Sequence, residues 1–544
     1  MSRLSAFLAG LSPEDRAVIT GKDTADALHQ AFTAKRVVHA GNPGIPLSAE
    51  EARRRWQAVM ETPLAAPAHQ LAYIHIPFCQ TKCLYCGFFQ NQSEQAAEDR
   101  YIDHLIRELE MASDAPRFQS STIDAVFIGG GTPTSLSPEN VRRLLAAIQK
   151  CLPLASGCEI TLEGRVHDVV PEKIEAWAEG GVNRVSLGVQ SFHTKIRRQI
   201  GRIDDEETVL RRIAALKETC RFVVIADLIY GLPDQTMDLW MEDLALLEAS
   251  GADGMDLYQL NVFEGSELDR RIKSGRLSPA ASTEMQADMY LAAADWVAAR
   301  PFQQMNMRHW RRSPLERSLY NIMVKEGVPL YPFGSGAGGH ADGYALMLHR
   351  SLVPYESMVA AGEKPIMGMT RQDPSQPMVD EVLRQLEQGY FDPAEAAKRD
   401  PRLADLKELF QIWQDRGLAA WNGVLYRLTK AGEFWQVNLA QSAAECVKVL
   451  SGGTPQIIRE KVAAQNGKDG SGPSPLIRAI MRMAGTDEKT ARAMAGRIPP
   501  HVRSMLEAMP PAMIEMAAKS LGSDTLRSMM EKAKAANSQT PKGD

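Results

Sequence analysis

The feature that most constrains this chain is an alternation of short strands and amphipathic helices that begins at residue 71 and repeats six times. Each predicted strand is rich in β-branched or aromatic residues and ends in glycine, proline or polar residues. The strands are predicted at 71–76, 125–128, 159–162, 184–189, 222–228 and 255–260. The helices between them include 97–112, 138–150, 171–179, 206–218 and 237–249. This alternation predicts an α/β fold with a parallel sheet, and six units favour a partial (β/α)6 barrel over a closed eight-stranded one.

Polar and glycine residues follow every predicted strand. In barrels of this class the active-site residues lie at the C-terminal ends of the strands, in the loops that lead to the helices. These ends carry Cys79 with its neighbours, Gly129-Gly-Gly-Thr-Pro133, Glu163, Gln190-Ser-Phe, Tyr230-Gly-Leu-Pro and Tyr258-Gln-Leu-Asn. Ordinary structural loops are rarely so rich in such residues, so the sequence predicts a functional site at this edge of the sheet.

The segments around the predicted barrel divide the 544 residues into further domains. Residues 1–70 are predicted to form a helical extension, and the barrel with its substrate-binding elements is predicted to span 71–369. A small helical domain follows at 370–445, closed by a hairpin whose turn is Asn422-Gly423. A linker at 446–475 then leads to a methionine-rich helical tail at 476–544.

Composition excludes several classes of protein. The chain has 62 basic and 67 acidic residues and a formal net charge of −5, which argues against a generally basic nucleic-acid binder. It has no apolar run of about 18 residues or more, so the sequence predicts no membrane span. Its seven cysteines are too few, and odd in number, for a disulfide scaffold. We therefore expect a soluble cytoplasmic protein with reduced thiols.

Three of the cysteines lie close together, in the run Cys79-Gln-Thr-Lys-Cys83-Leu-Tyr-Cys86, directly after the first predicted strand. Three thiolates can hold three irons of a [4Fe–4S] cluster and leave the fourth iron open for a ligand. A four-coordinate zinc site would need a further ligand. His75 is a weak candidate for that ligand because it lies on the strand and alternates away from the loop. A structural zinc knuckle and three incidental thiols are the alternatives to the cluster.

The run Tyr73-Ile-His-Ile-Pro-Phe-Cys79, followed by Cys83, Tyr85 and Cys86, resembles the signature of radical S-adenosylmethionine (SAM) enzymes. Within that superfamily, residues 71–440 resemble the oxygen-independent coproporphyrinogen oxidase family. The resemblance implies a [4Fe–4S] cluster on the three cysteines and SAM chelated by the open iron. One electron from the cluster then cleaves the sulfonium to give a 5′-deoxyadenosyl radical.

The same resemblance implies which residues contact SAM. The glycine run matches a motif whose backbone contacts the methionine amino group, and a loop without side chains permits that close approach. Carboxylates suit the ribose hydroxyls and the ammonium group, and an arginine suits the SAM carboxylate. Taken singly, each charged residue could instead form an ion pair on the barrel rim. The implied contacts are Tyr73, Tyr85, Gly130, Gly131, Thr132, Glu163, Gln190, Arg202 and Asp227.

Two differences from other members of the family narrow the choice of branch to which this sequence is similar. Coproporphyrinogen oxidases carry one more cysteine two residues after the third, where this chain has Phe88. The heme-chaperone branch lacks it too, but its chains begin almost at the cluster motif, whereas about seventy residues precede the motif here. The runs 308–321 and 333–350 resemble the anaerobic heme-degrading branch, the anaerobilin synthases. That branch implies a methyltransferase with two equivalents of SAM, one as methyl donor and one for radical chemistry, which opens the macrocycle without oxygen and releases iron and a linear tetrapyrrole.

These two runs contain the candidate contacts with the tetrapyrrole. Arginine pairs well with carboxylates, so Arg311, Arg312 and Arg317, with their neighbour Arg308, are candidates for the heme propionates. The alternative is a solvated helix face with Glu316 as the partner of the arginines. The histidines of the second run, His340 and His349, are candidate contacts with the iron or the macrocycle, although a lone histidine is more often structural.

The resemblance also implies partners. Heme or a related tetrapyrrole would be the substrate, and a flavodoxin-like or other low-potential protein would be the electron donor. The methionine-rich tail either forms a small helical module or offers a surface to a heme-delivery or product-accepting protein. Two other functions stay open: a heme chaperone that keeps the radical SAM scaffold, and an oxygen-independent coproporphyrinogen dehydrogenase.

Overall fold

The structure is a computed structural model that describes residues 2–36, 44–87, 91–455 and 477. Met1–Val462 form one compact unit and Ala463–Asp544 form a second. Apart from Ile477, the second unit lies outside the described residues. Most of the predicted linker and all but one residue of the predicted methionine-rich tail therefore lie outside them as well.

The strands of the described residues are numbered in chain order. They are β1 (Ile45–Pro46), β2 (Gln70–Ile76), β3 (Phe78–Cys79), β4 (Asn91–Gln92), β5 (Ile123–Gly130), β6 (Leu154–Gly164), β7 (Arg184–Gln190), β8 (Val223–Tyr230), β9 (Gly254–Gln259), β10 (Gln303–Gln304), β11 (His309–Arg311), β12 (Leu330–Phe333), β13 (Gly338–Ala341), β14 (Tyr344–Leu348), β15 (Ile366–Arg371), β16 (Tyr390–Phe391), β17 (Ala419–Trp421) and β18 (Tyr426–Leu428).

The α-helices are numbered in the same way, and short 3-10 helices lie at Pro133–Ser135, Val166–Asp168 and Pro401–Leu406. The α-helices are α1 (Arg3–Gly10), α2 (Pro13–Thr20), α3 (Ala27–Gln30), α4 (Ala49–Glu61), α5 (Gln95–Ser113), α6 (Pro116–Gln119), α7 (Pro138–Cys151), α8 (Pro171–Glu179), α9 (Thr194–Gln199), α10 (Glu206–Glu218), α11 (Met237–Ala249), α12 (Glu267–Lys273), α13 (Thr283–Ala298), α14 (Leu319–Lys325), α15 (Leu352–Ala360), α16 (Gln376–Glu387), α17 (Pro393–Arg399), α18 (Lys407–Asp415), α19 (Lys430–Phe434) and α20 (Gln436–Leu450).

Several helices between the strands begin at side-chain caps that the sequence provides. The Ser137 hydroxyl accepts a hydrogen bond from the Asn140 amide at the start of α7, and Pro138 opens that helix. The Asp205 carboxylate accepts one from the Thr208 amide at the start of α10. These caps satisfy amides that have no partner within the helix, and proline is favoured at the first helical position.

Counted over the described part of the chain, the central sheet has thirteen strands in the order β1-β15-β14-β13-β12-β2-β5-β6-β7-β8-β9-β11-β10. The strands from β12 to β9 in that order run parallel to one another, and the strands on both flanks are antiparallel. The six predicted strands and their intervening helices are confirmed, and so is the α/β fold class. The parallel strand β12 was not predicted, because it has only four residues and one of them is Pro332.

The two faces of the parallel strands differ in chemistry. Side chains alternate along a strand, so every second residue points to the helices and the others point to the opposite side, here called the inner face. The helix-facing side chains are apolar and buried, as with Ile74, Leu162 and Leu228. The inner face is largely polar, and its side chains include Tyr73, Glu163, Arg184, Ser186, Asp227, Asp256 and Tyr258.

The first helices of the chain pack on α20, close to the end of the described residues. The Trp435 indole donates to the carbonyls of Ala27 and Leu28, at 3.0 and 2.9 Å. The Asn438 side chain accepts from the Arg36 amide at 2.9 Å and donates to the Ala34 carbonyl at 3.0 Å. The predicted extension at 1–70 and the predicted small domain at 370–445 therefore share a buried, hydrogen-bonded contact.

The predicted hairpin of the small domain is present as β17 and β18, which pair antiparallel and add β16 to form a three-stranded sheet. The side-chain oxygen Oδ1 of Asn422 holds the turn, because it accepts hydrogen bonds from the amides of Val424 and Leu425. Within the described ranges, no helix combines the length and the apolar character needed to cross a membrane.

Candidate active site

The three clustered cysteines lie in one loop at the C-terminal edge of the parallel strands. This loop follows β2, and its first residues form β3, which pairs in parallel with β4. Cys79 and Cys83 are buried, and Cys86 is half-buried. The Leu84 amide donates to the Ile200 carbonyl at 3.2 Å, and the Leu84 carbonyl accepts from the Leu268 amide at 3.0 Å. Neighbouring elements thus hold the cysteine loop on both sides.

The glycine run after β5 packs directly against the cysteine loop. The Gly131 amide donates to the Ile76 carbonyl at 2.7 Å, and the Thr132 amide donates to the Phe78 carbonyl at 2.8 Å. The Thr132 hydroxyl donates to Cys79 Sγ at 3.4 Å. A Cβ on Gly131 would overlap the Phe78 carbonyl and lie 3.0 Å from Cys79 Sγ. This position therefore needs glycine because the two backbones approach so closely.

Arg202 reaches the cysteine loop from the other side of the edge. Its Nη2 atom donates to the Tyr85 hydroxyl at 3.0 Å, and its Nε atom is buried with no hydrogen-bond partner among the described residues. Burial raises the pKa of Tyr85 to about 12, so the phenol stays neutral and accepts this bond. A buried guanidinium nitrogen without an acceptor is costly, which indicates that an anionic ligand completes the site.

Gln190 ends β7 in a conformation that non-glycine residues rarely adopt. Its φ is +73°, and the pairing of β7 with β8 shifts register between Gly188 and Gln190. A Cβ on Gly188 would lie 2.5 Å from Gln190 Nε2 and 3.1 Å from Arg202 Nη2, so the three residues are neighbours. Left-handed backbone at a bulge costs energy and is concentrated at functional sites.

Two carboxyl groups on the inner face lie in environments that favour their neutral forms. Burial raises the pKa of Glu163 to about 7, although a hydrogen bond from the Gly130 amide opposes the shift. Burial, and then the neighbouring carboxylate of Asp256, raises the pKa of Asp227 well above its ordinary value. Ser186 donates its hydroxyl hydrogen to Asp227 Oδ1 at 3.2 Å. Desolvation of this kind is what an enclosed ligand site imposes on acidic groups.

Strand β2 contributes the aromatic rings of Tyr73 and His75 to the inner face. The Tyr73 hydroxyl lies 3.0 Å from His75 Nδ1, and the Tyr73 ring stacks with Phe127 at a centroid distance of 6.2 Å. Burial, with a contribution from Arg350, lowers the pKa of His75 to about 4, and its Nε2 atom has no partner within the described chain. His75 thus bonds to Tyr73 on the strand, and its ring lies beside Gly130 of the glycine run.

The structure places the predicted cluster ligands at the C-terminal edge of the parallel strands, and the predicted SAM contacts at that edge or on the inner face. The three thiols, the glycine cradle at Gly131 and the partnerless Arg202 Nε fit a [4Fe–4S] cluster with an anionic ligand beside it. Among the described residues, no group of three or more His, Cys, Asp or Glu side chains could hold a single metal ion. The assignment of each residue to SAM stays a prediction.

The predicted propionate arginines lie at the opposite edge. Because β11 runs antiparallel to β9, Arg311 pairs with Gly254, the first residue of β9. The guanidinium of Arg311 donates to Gln303 Oε1 at 2.7 and 2.9 Å. Arg312 donates to the Glu248 carbonyl and Arg317 to the Gly157 carbonyl, both at 3.0 Å. The sequence could not show this reversal of direction, which carries these three side chains away from the cysteine loop.

The partner expected for those arginines, Glu316, meets Arg311 only through its backbone carbonyl, which accepts from Arg311 Nη1 at 3.2 Å. Glu316 is fully buried, and both of its carboxylate oxygens accept from Arg184 Nε, at 3.2 and 3.0 Å. Arg308 lies farther along the sheet, with its carbonyl accepting from the Leu257 amide at 2.9 Å. The interpretation of the run 308–321 as a solvated helix face is therefore wrong for Glu316.

The two candidate histidines of the second run lie at different edges. His340 pairs with Leu330 at the start of β12, and its Nε2 atom is buried without a partner in the described part of the chain. His349 follows β14, and its carbonyl accepts from the Ser335 hydroxyl at 2.9 Å, just beyond the end of β12. Only His349 of this pair is therefore at the edge that carries the cysteine loop, together with its neighbour Arg350.

The buried groups of the inner face were missed from the sequence. Asp256 and Arg184 follow the alternation that marks inner positions, so that signal was available. The contacts of His309, Glu316 and Tyr320 could not be predicted from the sequence, because their partners on the sheet are far away along the chain. Tyr320, for example, packs on Phe127 at a centroid distance of 4.8 Å.

Comparisons with known proteins agree with this geometry. The model of the radical SAM superfamily matches residues 73–247. Anaerobilin synthase from Escherichia coli O157:H7 is 38% identical over 432 residues, which cover 79% of this chain and 96% of that protein. Heme chaperone HemW from Lactococcus lactis is 33% identical over 272 residues, 50% of this chain and 70% of the chaperone. The structure of coproporphyrinogen III oxidase (HemN) from E. coli aligns with a TM-score of 0.64 and 22% identity, over 76% of this chain and 96% of that one.

The cysteine loop, the parallel α/β fold and the superfamily match define a radical SAM enzyme, and that class implies a [4Fe–4S] cluster and SAM. Within it, the chain belongs to the anaerobilin synthase family. The resemblance predicted from the cysteine and glycine runs is thereby confirmed.

Gly131→Ala tests the contact between the glycine run and the cysteine loop. Because the new Cβ overlaps the Phe78 carbonyl, we expect the loop to shift at a cost of about 1–3 kcal/mol and most of the cluster to be lost. Iron and sulfide per chain after anaerobic reconstitution measure the effect. Gly368→Ala on β15 is the matched control, since a Cβ there meets no atom within 4 Å. Equal cluster content in both variants would contradict the prediction.

Glu163→Gln tests the burial of that carboxyl. A raised pKa means that ionising Glu163 costs folding free energy, and this cost appears as pH rises from the ordinary value of 4.5 through about 7. Without cluster or SAM, we expect the Gln variant to be more stable than the parent at pH 8, by about 3 kcal/mol. The difference should vanish near pH 4, as urea unfolding would measure. Exposed Glu363→Gln is the control, and a pH-independent difference would disprove the assignment.

Proposed function

We propose that this chain opens the heme macrocycle without oxygen, adds a methyl group derived from SAM, and releases iron and a linear tetrapyrrole. The observation that carries the proposal is the 38% identity to anaerobilin synthase over 96% of that protein. The aligned 432 residues extend well beyond the core at 73–247 that matches the superfamily as a whole. The similarity therefore includes elements outside the part that cleaves SAM.

The residues at the cysteine edge would share the work of holding the two cofactors. Cys79, Cys83 and Cys86 would hold the cluster, which when bound supplies the electron that cleaves SAM. The Thr132 hydroxyl, already bonded to Cys79 Sγ, would stabilise thiolate character there. The free Nε of Arg202 would bind the SAM carboxylate, since that atom is buried and has no other acceptor among the described residues.

Two finer features belong to the same proposal. One equivalent of SAM would donate the methyl group and a second would start the radical chemistry. A flavodoxin-like or other low-potential protein would supply the electrons. The proposed contact of the methionine-rich tail with a heme-delivery or product-accepting protein concerns residues outside the described ranges.

An apolar patch and two basic side chains at the cysteine edge support a tetrapyrrole substrate. Tyr258, Val262 and Phe263, at and just after the end of β9, are 40%, 38% and 45% exposed. Large apolar side chains exposed together mark ligand-binding surfaces, and the faces of a porphyrin are apolar. Arg350 and His349 lie at the same edge, near the end of β12. We assign Arg350 to a heme propionate and His349 to the iron or the macrocycle.

The second candidate function is heme trafficking without ring opening. The observation that favours it is the 33% identity to heme chaperone HemW over half of this chain. Coproporphyrinogen oxidation has weaker support, because the likeness to HemN at 22% identity concerns the fold, and Phe88 replaces the additional cysteine.

The product separates these functions. Anaerobic incubation of the reconstituted protein with heme, SAM and a chemical reductant should yield a methylated linear tetrapyrrole and free iron, measured by mass spectrometry and a ferrous chelator. Cys83→Ser is the control that should bind heme without turnover. Stoichiometric heme binding with only 5′-deoxyadenosine as product would contradict ring opening and favour the chaperone. Vinyl formation from coproporphyrinogen III would favour the dehydrogenase.

Arg350→Ala and His349→Ala test the substrate contacts. We expect Arg350→Ala to weaken heme binding about tenfold, since a charge-assisted hydrogen bond contributes about 1.5–3 kcal/mol. His349→Ala should change the Soret band on heme titration. Arg312→Ala at the opposite edge is the matched control and should leave both measurements unchanged. The assignment fails if Arg312→Ala weakens binding as much as Arg350→Ala.

A further inference from the structure

The run 308–321 closes the N-terminal end of the inner face with a chain of buried charged groups. Arg184 Nε donates to Glu316, whose Oε1 lies 3.1 Å from His309 Nε2. His309 Nδ1 in turn lies 3.2 Å from Asp256 Oδ1. His309 is 1% exposed and Glu316 is fully buried. Because buried charges are costly unless paired, each group depends on its neighbours.

The chain of buried charged groups ends beside a predicted SAM contact. Asp256 on β9 pairs in register with Asp227 on β8, so the two carboxyl groups lie side by side on the inner face. The Ser186 hydroxyl donates to Asp227 Oδ1 at 3.2 Å. The order of contacts is therefore Arg184, Glu316, His309 and Asp256, with Asp227 next to the last of them.

The charges within the chain of buried charged groups balance without a charge on Asp227. Burial opposes protonation of His309, but Asp256 and Glu316 outweigh it and raise the pKa of His309 to about 9. Burial also opposes ionisation of Glu316, but Arg184 and His309 lower its pKa to about 2. A third buried carboxyl group, Glu159, also lies near Arg184, but burial raises its pKa. The two cations thus chiefly face the carboxylates of Glu316 and Asp256. A further negative charge on Asp227 would face Asp256 in a desolvated space, where like charges repel strongly.

We propose that His309 is a positioning residue: it fixes the Asp256 carboxylate, and this holds Asp227 as a neutral hydrogen-bond donor toward SAM. Ser186 occupies an acceptor oxygen of Asp227, which leaves the acid hydrogen for the ligand. The inference relies on the proposed function only in that SAM occupies the inner face. It makes no use of heme, so tests with SAM alone judge it separately from ring opening.

A neutral donor and an ionised acceptor respond differently to amide substitution. Asp227→Asn keeps a neutral donor of the same shape, whereas Asp227→Ala removes it. We expect the anaerobically reconstituted Asp227→Asn enzyme to bind SAM within about threefold of the parent, and Asp227→Ala about tenfold more weakly, as for loss of one hydrogen bond. Isothermal titration with SAM measures both. If Asp227→Asn binds as weakly as Asp227→Ala, the carboxyl group acts as an anion and the proposal is wrong.

The variant His309→Gln tests the positioning role of His309, because it keeps hydrogen-bonding atoms but removes the charge. We expect SAM binding to weaken about tenfold, because Asp256 then competes with SAM for the Asp227 acid hydrogen. The matched control is His193→Gln, since His193 is also largely buried but bonds to the Leu239 carbonyl on the helix side. That control should bind SAM like the parent.

An infrared measurement separates positioning from a structural role. The C=O stretch of a protonated carboxyl group that disappears in Asp227→Asn belongs to Asp227. It should shift in His309→Gln, because the Asp256 carboxylate is no longer held by His309 and reaches the acid hydrogen of Asp227. An unchanged band together with parental SAM affinity in His309→Gln would overturn the proposal. If His309→Gln does not fold, Asp256→Asn takes its place. It removes the negative charge beside Asp227, and the band should shift there as well.

Discussion

The parallel pairing of β2 with β5 is the constraint on which the site depends. It aligns the ends of the two strands, so that the cysteine loop and the glycine run leave the sheet side by side. Two backbone hydrogen bonds, from Gly131 to Ile76 and from Thr132 to Phe78, then join the two segments. Because no side chain separates them at Gly131, the Thr132 hydroxyl reaches Cys79 Sγ. Local glycine chemistry and long-range strand order thus produce one site together.

The part of this arrangement that follows local rules could be predicted from the sequence. The strands and helices of the barrel have clear alternation and caps, and the cysteine loop lies directly after a strand, so its edge was predictable. The position of Arg311, Arg312 and Arg317 was not. Their direction depends on whether β11 pairs parallel or antiparallel to β9, and a three-residue strand carries no signal for that choice.

The groups of the inner face were hidden for a related reason. Arg184 and Glu316 are far apart in the sequence, as are Asp256 and His309, and each alone looks like an ordinary charged surface residue. Only the fold places them in a common desolvated space, where burying one of them without the others would cost several kcal/mol. The local sequence of residues 308–321 therefore shows only a basic run, and the fold is needed to show that its buried members close one end of the inner face.

The order of strands also determines which backbone groups lie at the outer edges of the sheet. A long unpaired edge strand presents amide and carbonyl groups that can pair with another chain. In the part of the chain that the structure describes, the outermost strands of the thirteen-stranded sheet, β1 and β10, contain two residues each. Pro46 in β1 has no amide hydrogen to donate. The segment before the barrel thus covers part of β15 and shortens the exposed edge with which a strand of another molecule could pair. This effect is unrelated to catalysis.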